Sequence, residues 1–252
     1  MKIIRAAVPP LIPFVVLTAS IEFLVRGGVI RGFLLPAPSA VFLAIWNNWD
    51  ELARAMLTTS ASALIGFLLS TLGGIAVAVL LSSSRWVQRA FYPYAVFFQT
   101  VPIIAIAPLL VIWFGYGMKT VIASAFVVSI FPVIANTLTG ILSTDPALRD
   151  LFQLYGASPT VTLFKLRFPA ALPQILTGLR VASGLAVIGA IVGEFIGGGG
   201  LGSVVDVART QQRIDKVFAA VLLASLLGLA LFGLVNLISA LTLRRWHASE
   251  QA

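Results

Sequence analysis

Cysteine is absent from these 252 residues, and histidine occurs once, as His247 in the polar C-terminal tail. No disulfide framework, thiolate zinc site or thiol nucleophile can be built. A His-based metal centre or Ser-His couple within the apolar part of the chain is excluded as well. Charge is scarce too: 17 Lys+Arg and 9 Asp+Glu make 10% of the sequence, against 59% hydrophobic residues. A soluble domain carries about 25% charged residues. So little charge cannot cover a water-facing surface, and the composition is that of an integral membrane protein. The net charge of +8 does not point to nucleic acid, because the basic residues stand singly between apolar blocks and form no stripe.

What is present is long apolar sequence. Ala6–Ile21, Ala55–Ser84, Ala90–Met118, Thr120–Thr144 and Val217–Leu243 carry no charge, and Val181–Val205 carries only Glu194. Continuous runs exclude the alternating pattern of a barrel, which leaves helices as the spanning structure. The expected spans are Val8–Val25, Thr58–Leu81, Phe91–Phe114, Thr120–Leu142, Ile175–Ile196 and Val217–Thr242. Lys2 and Arg5 before the first block resemble a signal-peptide start, but no small-residue cleavage site follows, so a retained first span is expected. The fold class is thus an all-α membrane protein with six spans in a single domain, 1–252.

Between Gly32 and Trp49 the apolar stretch contains Pro36 and Pro38, with Ser39 as an expected N-cap. Val41, Phe42, Ile45, Trp46, Trp49 and Leu52 recur at helical spacing, and Asn47, Asn48, Asp50 and Glu51 make the end polar. This reads as an interfacial helix with tryptophans at headgroup level. With an inner N-terminus, Lys2, Arg5, Arg85, Arg89, Arg149, Lys165, Arg167, Arg180, Arg244 and Arg245 fall inside. Arg26, Arg31, Arg54, Lys119, Arg209, Arg213 and Lys216 fall outside. The bias runs in the positive-inside direction and places both termini in the cytoplasm.

The longest inner connection, residues 143–174, predicts two short helices. Asp145-Pro146 supplies an N-cap and a proline at the first position. Leu148, Leu151, Phe152 and Tyr155 follow on one stripe, and Gly156 ends the helix. Ser158-Pro159 starts a second helix carrying Val161, Phe164 and Phe168, with Pro169 and Pro173 punctuating the approach to span five. The residues alone leave two readings open: a knob that docks in a partner's groove, or an amphipathic linker lying on the membrane.

Leu154-Tyr155-Gly156-Ala157-Ser158, followed by Leu166-Arg167-Phe168-Pro169, resembles the EAA loop of permease subunits of bacterial ABC importers. That pattern reads Glu-Ala-Ala, three residues, Gly, nine residues, Ile, any residue, Leu-Pro. Gly156 and Pro169 match in spacing and Asp150 stands in the Glu position. Leu151 and Phe152 replace the alanines, and Leu166 and Phe168 replace Ile and Leu. Val101–Leu110 running into Trp113-Phe114-Gly115, Gly193-Glu194 before Gly200-Leu201-Gly202, and the Leu35–Ser39 opening resemble the sulfonate, taurine and nitrate type of permease.

The resemblance implies that two permease subunits, identical or related, form a pathway. Each presses its loop into a cleft on a separate ATPase subunit that binds the ATP, so no cofactor is expected on this chain. A periplasmic or lipid-anchored binding protein delivers the solute, expected to be a small sulfonate, a nitrate-like anion or a heteroaromatic nutrient. The resemblance also implies that Asp150, Gly156, Ala157, Ser158, Pro159, Phe168 and Pro169 make up the ATPase-coupling surface. The competing function is an ion-gradient-driven secondary transporter, which needs an intramembrane carboxylate relay and usually a repeated fold.

Two motifs are set aside. Gly197–Gly202 satisfies G-x-G-x-x-G, but it follows an apolar helix rather than a strand and reads as a flexible loop or close backbone packing. Gly115–Thr120 ends in Lys-Thr, yet Met118 precedes the lysine and Trp113 occupies the first-glycine position, so it is not a phosphate loop. The intramembrane polar residues Gln99 and Thr100 before Pro102, Asn136 after Pro132, and Glu194 are candidates for the translocation path. For Glu194 a structural pairing with Arg209 or Arg213 is the alternative, and Glu22 is expected to reach the headgroups. Gly66, Ser70, Gly73 and Gly74 predict close helix packing.

Overall fold

The computed structural model describes the backbone of residues 2–243 and the side chains of residue 9 and residues 11–243. Lys2, Arg5, Arg244, Arg245 and His247, used above for orientation and exclusion, lie outside the described side chains. Every regular element among the described residues is helical. In order they are α1 (Lys2–Arg26), α2 (Pro38–Asn47), α3 (Trp49–Ser82), α4 (Arg85–Thr100), α5 (Ile103–Phe114) and α6 (Met118–Leu142). There follow α7 (Pro146–Leu154), α8 (Pro159–Thr162), a π-helical segment Leu163–Arg167, α9 (Phe168–Gly197), α10 (Gly200–Thr210) and α11 (Ile214–Leu243).

α6 runs between α3 and α9, and small residues set how near they come. A Cβ on Gly66 of α3 would lie 2.5 Å from the Ala125 Cβ, and one on Gly189 of α9 would lie 2.8 Å from the Ala125 Cα. Ala125 is therefore gripped from both sides, and the Ser124 hydroxyl donates to the Gly189 carbonyl at 2.7 Å. In lipid, where apolar burial gives no net drive between helices, such close approach and hydrogen bonding hold the bundle. Gly74 meets Val133 in the same way, at 2.7 Å for an added Cβ, and Ser70 is fully buried, as the small-residue reading of span two requires.

α3, α6, the α8–α9 run and α11 are each long and apolar enough to cross a membrane, and α4 with α5 supplies a fifth crossing if taken as one span. α1, the expected first span, is a helix of 25 residues whose side chains from Leu11 to Leu17 are exposed on the isolated chain.

Four expectations are corrected. The third span is not a single helix over Phe91–Phe114: α4 and α5 meet at 99°. Val101 takes extended backbone (φ −73°, ψ 122°) because Pro102 disfavours a helical residue before it and offers no N–H. Pro93, Pro108 and Pro132 lie inside their helices without ending them. Second, the Ser158-Pro159 helix is not separate from span five. It continues through Leu163–Arg167 into α9, the wider π turn falling just ahead of Pro169.

Third, of the two readings of the glycine run the flexible loop fails and close packing holds: Gly202 lies where an added Cβ would come 2.5 Å from the Ile191 carbonyl, and the run leads into a helix, α10, whose Leu201, Val204 and Ala208 are buried. Fourth, the interfacial helix starts from Ala37 rather than Ser39, and its stripe is divided. Val41, Ile45 and Leu52 pack into the core with Leu201 and Leu223, while Phe42, Trp46 and Trp49 are exposed. Asp50 and Glu51 do not end this helix; they open α3, where the helix dipole favours acids. Glu22 is not merely extended toward headgroups: its carboxylate accepts from the Ser39 amide at 3.0 Å and hydroxyl at 2.7 Å, and pairs with Arg26.

Candidate coupling loop and transport path

The loop after α6 is built by its caps. The Asp145 carboxylate accepts from the Ala147 amide at 2.8 Å, and Pro146 occupies the first helical turn. At the other end Gly156 takes φ +70°, a conformation that suits glycine. The reversed chain then lets the Ala157 amide donate back to the Phe152 carbonyl at 3.0 Å and the Gly156 amide to Gln153 at 3.0 Å. The Ser158 hydroxyl accepts from the Val161 amide at 3.3 Å and starts α8. Both capping signals read from the sequence are therefore present in the geometry.

The result is a projecting helix with no buried residue. Leu154 and Tyr155 at its tip are 85% and 84% exposed, an apolar pair held out from the rest of the chain. Asp150, Ser158 and Pro159 are exposed beside them, Gly156 forms the turn, and Ala157 is half-buried. Phe168 and Pro169 are apart from this tip: they are half-buried at the root, where Phe168 packs against the Ile141, Ala171 and Ile175 cluster. The seven residues expected to form the coupling surface thus divide into an exposed tip and a packed root.

The four path candidates are not brought together. Gln99 and Thr100 are exposed at the α4–α5 break, where the Thr100 hydroxyl donates to the Phe97 carbonyl at 2.7 Å. Asn136 is half-buried between α6 and α9: its amide donates to the Pro132 carbonyl at 2.9 Å, and Gly178 faces it closely.

Glu194 is 1% exposed near the end of α9. Three consecutive glycines, Gly198, Gly199 and Gly200, take φ of +80°, +81° and +66° and turn the chain back over it. The Glu194 Oε2 accepts from the Gly202 amide at 2.8 Å, and the Thr59 hydroxyl accepts from the Leu201 amide at 2.9 Å. Two early amides of α10, which no helix can satisfy internally, are thus capped from α9 and α3. The alternative of a pairing with Arg209 or Arg213 is not realised: Arg209 pairs with Asp206 at 2.8 Å and Arg213 with Asp215 at 3.9 Å. Sequence reading missed this cap, although Leu201, Val204, Val205 and Ala208 already stood at helical spacing.

Residues 70–244 match the family described as binding-protein-dependent transport system inner membrane component. The formylaminopyrimidine transport permease protein ThiX of Halalkalibacterium halodurans is 38% identical over 206 residues, covering 81% of this chain and 82% of that protein. The putative aliphatic sulfonates transport permease protein SsuC of Bacillus subtilis is 29% identical over 227 residues, covering 89% of this chain and 82% of that protein. Among solved structures, a chain of an amino acid ABC transporter crystallised with histidines superposes with a TM-score of 0.65 at 17% identity. That match covers 79% of this chain and 97% of that one, a likeness of fold.

Proposed function

Because the chain belongs to the binding-protein-dependent transport system inner membrane components, we propose that it moves a small, uncharged heteroaromatic nutrient through a pathway shared by two permease subunits. That it is the permease subunit of an ABC importer, an integral membrane component working with an ATPase and a solute-binding protein, follows from the family itself. The ion-gradient alternative has no such support.

The observation that carries the choice of solute is the α4–α5 elbow. From Ala90 to Met118 there is no charged residue, and the exposed polar side chains at the bend are Gln99 and Thr100. Neutral hydrogen-bonding groups suit a ring bearing amide-like or amino groups, whereas an anion crossing the membrane calls for Arg or Lys. Non-helical backbone at membrane depth is tolerated only against protein or a water-filled cavity. We therefore place the elbow on the pathway, covered by a second copy of the chain, with Asn136 and Glu194 lying behind it. ATP is bound by the partner subunit. Both termini and the loop at 143–174 face the cytosol, with the tip formed by Asp150, Leu154, Tyr155, Gly156, Ala157, Ser158 and Pro159 as the ATPase contact.

The test is thermal unfolding of the importer's own binding protein against a nutrient panel. Formylaminopyrimidine and related aminopyrimidines are expected to raise its melting temperature while nitrate and alkyl sulfonates leave it unchanged. Stabilisation by a sulfonate, with none by the heterocycles, overturns the reading.

A further inference from the structure

The four ion pairs among the described residues, Glu22–Arg26, Asp206–Arg209, Arg213–Asp215 and Glu51–Lys216, all belong to the end of the bundle opposite the coupling loop. At the loop end the arginines have no such partner among the described residues. A cavity of about 560 Å³ lies between the last turn of α3 and the α7–α8 hairpin, with Arg149, Arg167, Gln153, Thr160, Ser82 and Ser83 in its wall. A second cavity of about 580 Å³ adjoins it through Arg149 and adds Arg85 and Arg89. Among the described residues no carboxylate lines either one. Asp145, the acid closest in sequence to Arg149 on the α6 side, is occupied in capping α7.

Arg167 gives the second clue. Its Nε is buried and has no hydrogen-bond partner among the described residues. A guanidinium stays charged at any physiological pH, and a buried N–H left unpaired is unfavourable. The hydroxyls of Ser82 and Ser83 donate to the Val79 and Leu80 carbonyls at 2.8 and 2.7 Å, so their protons are not available to an anion in the cavity without turning. The free donors converging on the cavity are therefore two guanidinium forks, the Gln153 amide and the Thr160 hydroxyl. Forked donors match the oxygens of a phosphate group, and a cavity of this size takes a phosphate together with the body that carries it.

We propose that this cavity is a binding site for a phosphate group, which neutralises Arg149 and Arg167 and ties the coupling hairpin to the end of α3. The site is separate from the solute pathway and does not depend on the identity of the solute. Two sources present the same chemistry: the headgroup of an anionic phospholipid at the cytosolic interface, or a soluble phosphate in the cytosol.

Thermal unfolding of the assembled importer in lipid nanodiscs tests it. In phosphatidylcholine discs, added sodium phosphate is expected to raise the melting temperature where equal ionic strength of sodium chloride does not; this outcome assigns a soluble phosphate. A rise only on exchange to phosphatidylglycerol discs assigns the lipid headgroup. Arg149→Gln and Arg167→Gln are each expected to weaken the response at least tenfold in ligand concentration. Thr160→Glu, an exposed substitution that leaves both arginines in place, is expected to abolish it by repulsion. Lys165→Gln, outside the cavity, is expected to respond as wild type. No stabilisation by either source in the wild-type complex, or a response undiminished in Thr160→Glu and the arginine variants, overturns the proposal.

Discussion

Glu194 shows how a single side chain is placed by what its neighbours lack. With no Cβ at Gly200 the carboxylate fits against the returning chain; an added one would overlap both its oxygens. Glu194→Ala leaves the Gly202 amide without its acceptor and is expected to cost about 1–3 kcal/mol, seen as a lower melting temperature in detergent. Glu194→Gln retains an acceptor oxygen and is expected to recover most of that loss. If the two variants melt together, the amide cap is not what Glu194 supplies. Gly66→Leu forces a side chain where even a Cβ would touch Ala125, and overpacking of about 1–3 kcal/mol is expected from the same measurement. A variant as stable as wild type would show that α3 and α6 can separate freely.

At the scale of elements, what was legible in the sequence is what depends on local chemistry. Asp145-Pro146, Gly156 and Ser158-Pro159 mark the hairpin, because capping is a matter of adjacent residues. The break before Pro102 was not legible. Four prolines stand in the expected third and fourth spans, and of these only Pro102 breaks its helix. The merging of α8 with α9 turns on a π segment, Leu163–Arg167, for which the sequence carries no distinctive residue. The stripe of α10 is visible in the sequence, but the glycines ahead of it fit a flexible loop as well as the close packing they make.

The exposed tip of the hairpin carries its own prediction. Tyr155→Ala removes a large apolar side chain from the proposed docking surface and is expected to weaken ATPase binding about tenfold, roughly 1.4 kcal/mol, in a solid-phase titration of the purified subunits. Ala157→Glu is expected to release the ATPase with membrane insertion intact. Unchanged affinity in both variants would place the contact elsewhere.

For the whole molecule, the uneven distribution of charge links fold to function. Paired charges collect at one end, as where the Lys216 ammonium donates to Glu51 at 2.7 Å and joins the starts of α3 and α11. Arginines with no carboxylate partner among the described residues collect at the other, beside the hairpin. Six apolar blocks could be counted from composition, but not which of them pack together: α6 is central because Gly66 and Gly189 reach it from opposite sides, a three-dimensional relation between residues far apart in the chain.

Coupling to a cytosolic ATPase requires the hairpin to face the cytosol, and the absence of cysteine from the sequence makes one measurement direct. A single cysteine at Tyr155 should react with a membrane-impermeant maleimide in inverted vesicles stripped of ATPase, lose that reactivity when the ATPase is restored, and stay unlabelled in intact spheroplasts. Labelling of Tyr155→Cys from outside intact spheroplasts would contradict the coupling reading outright.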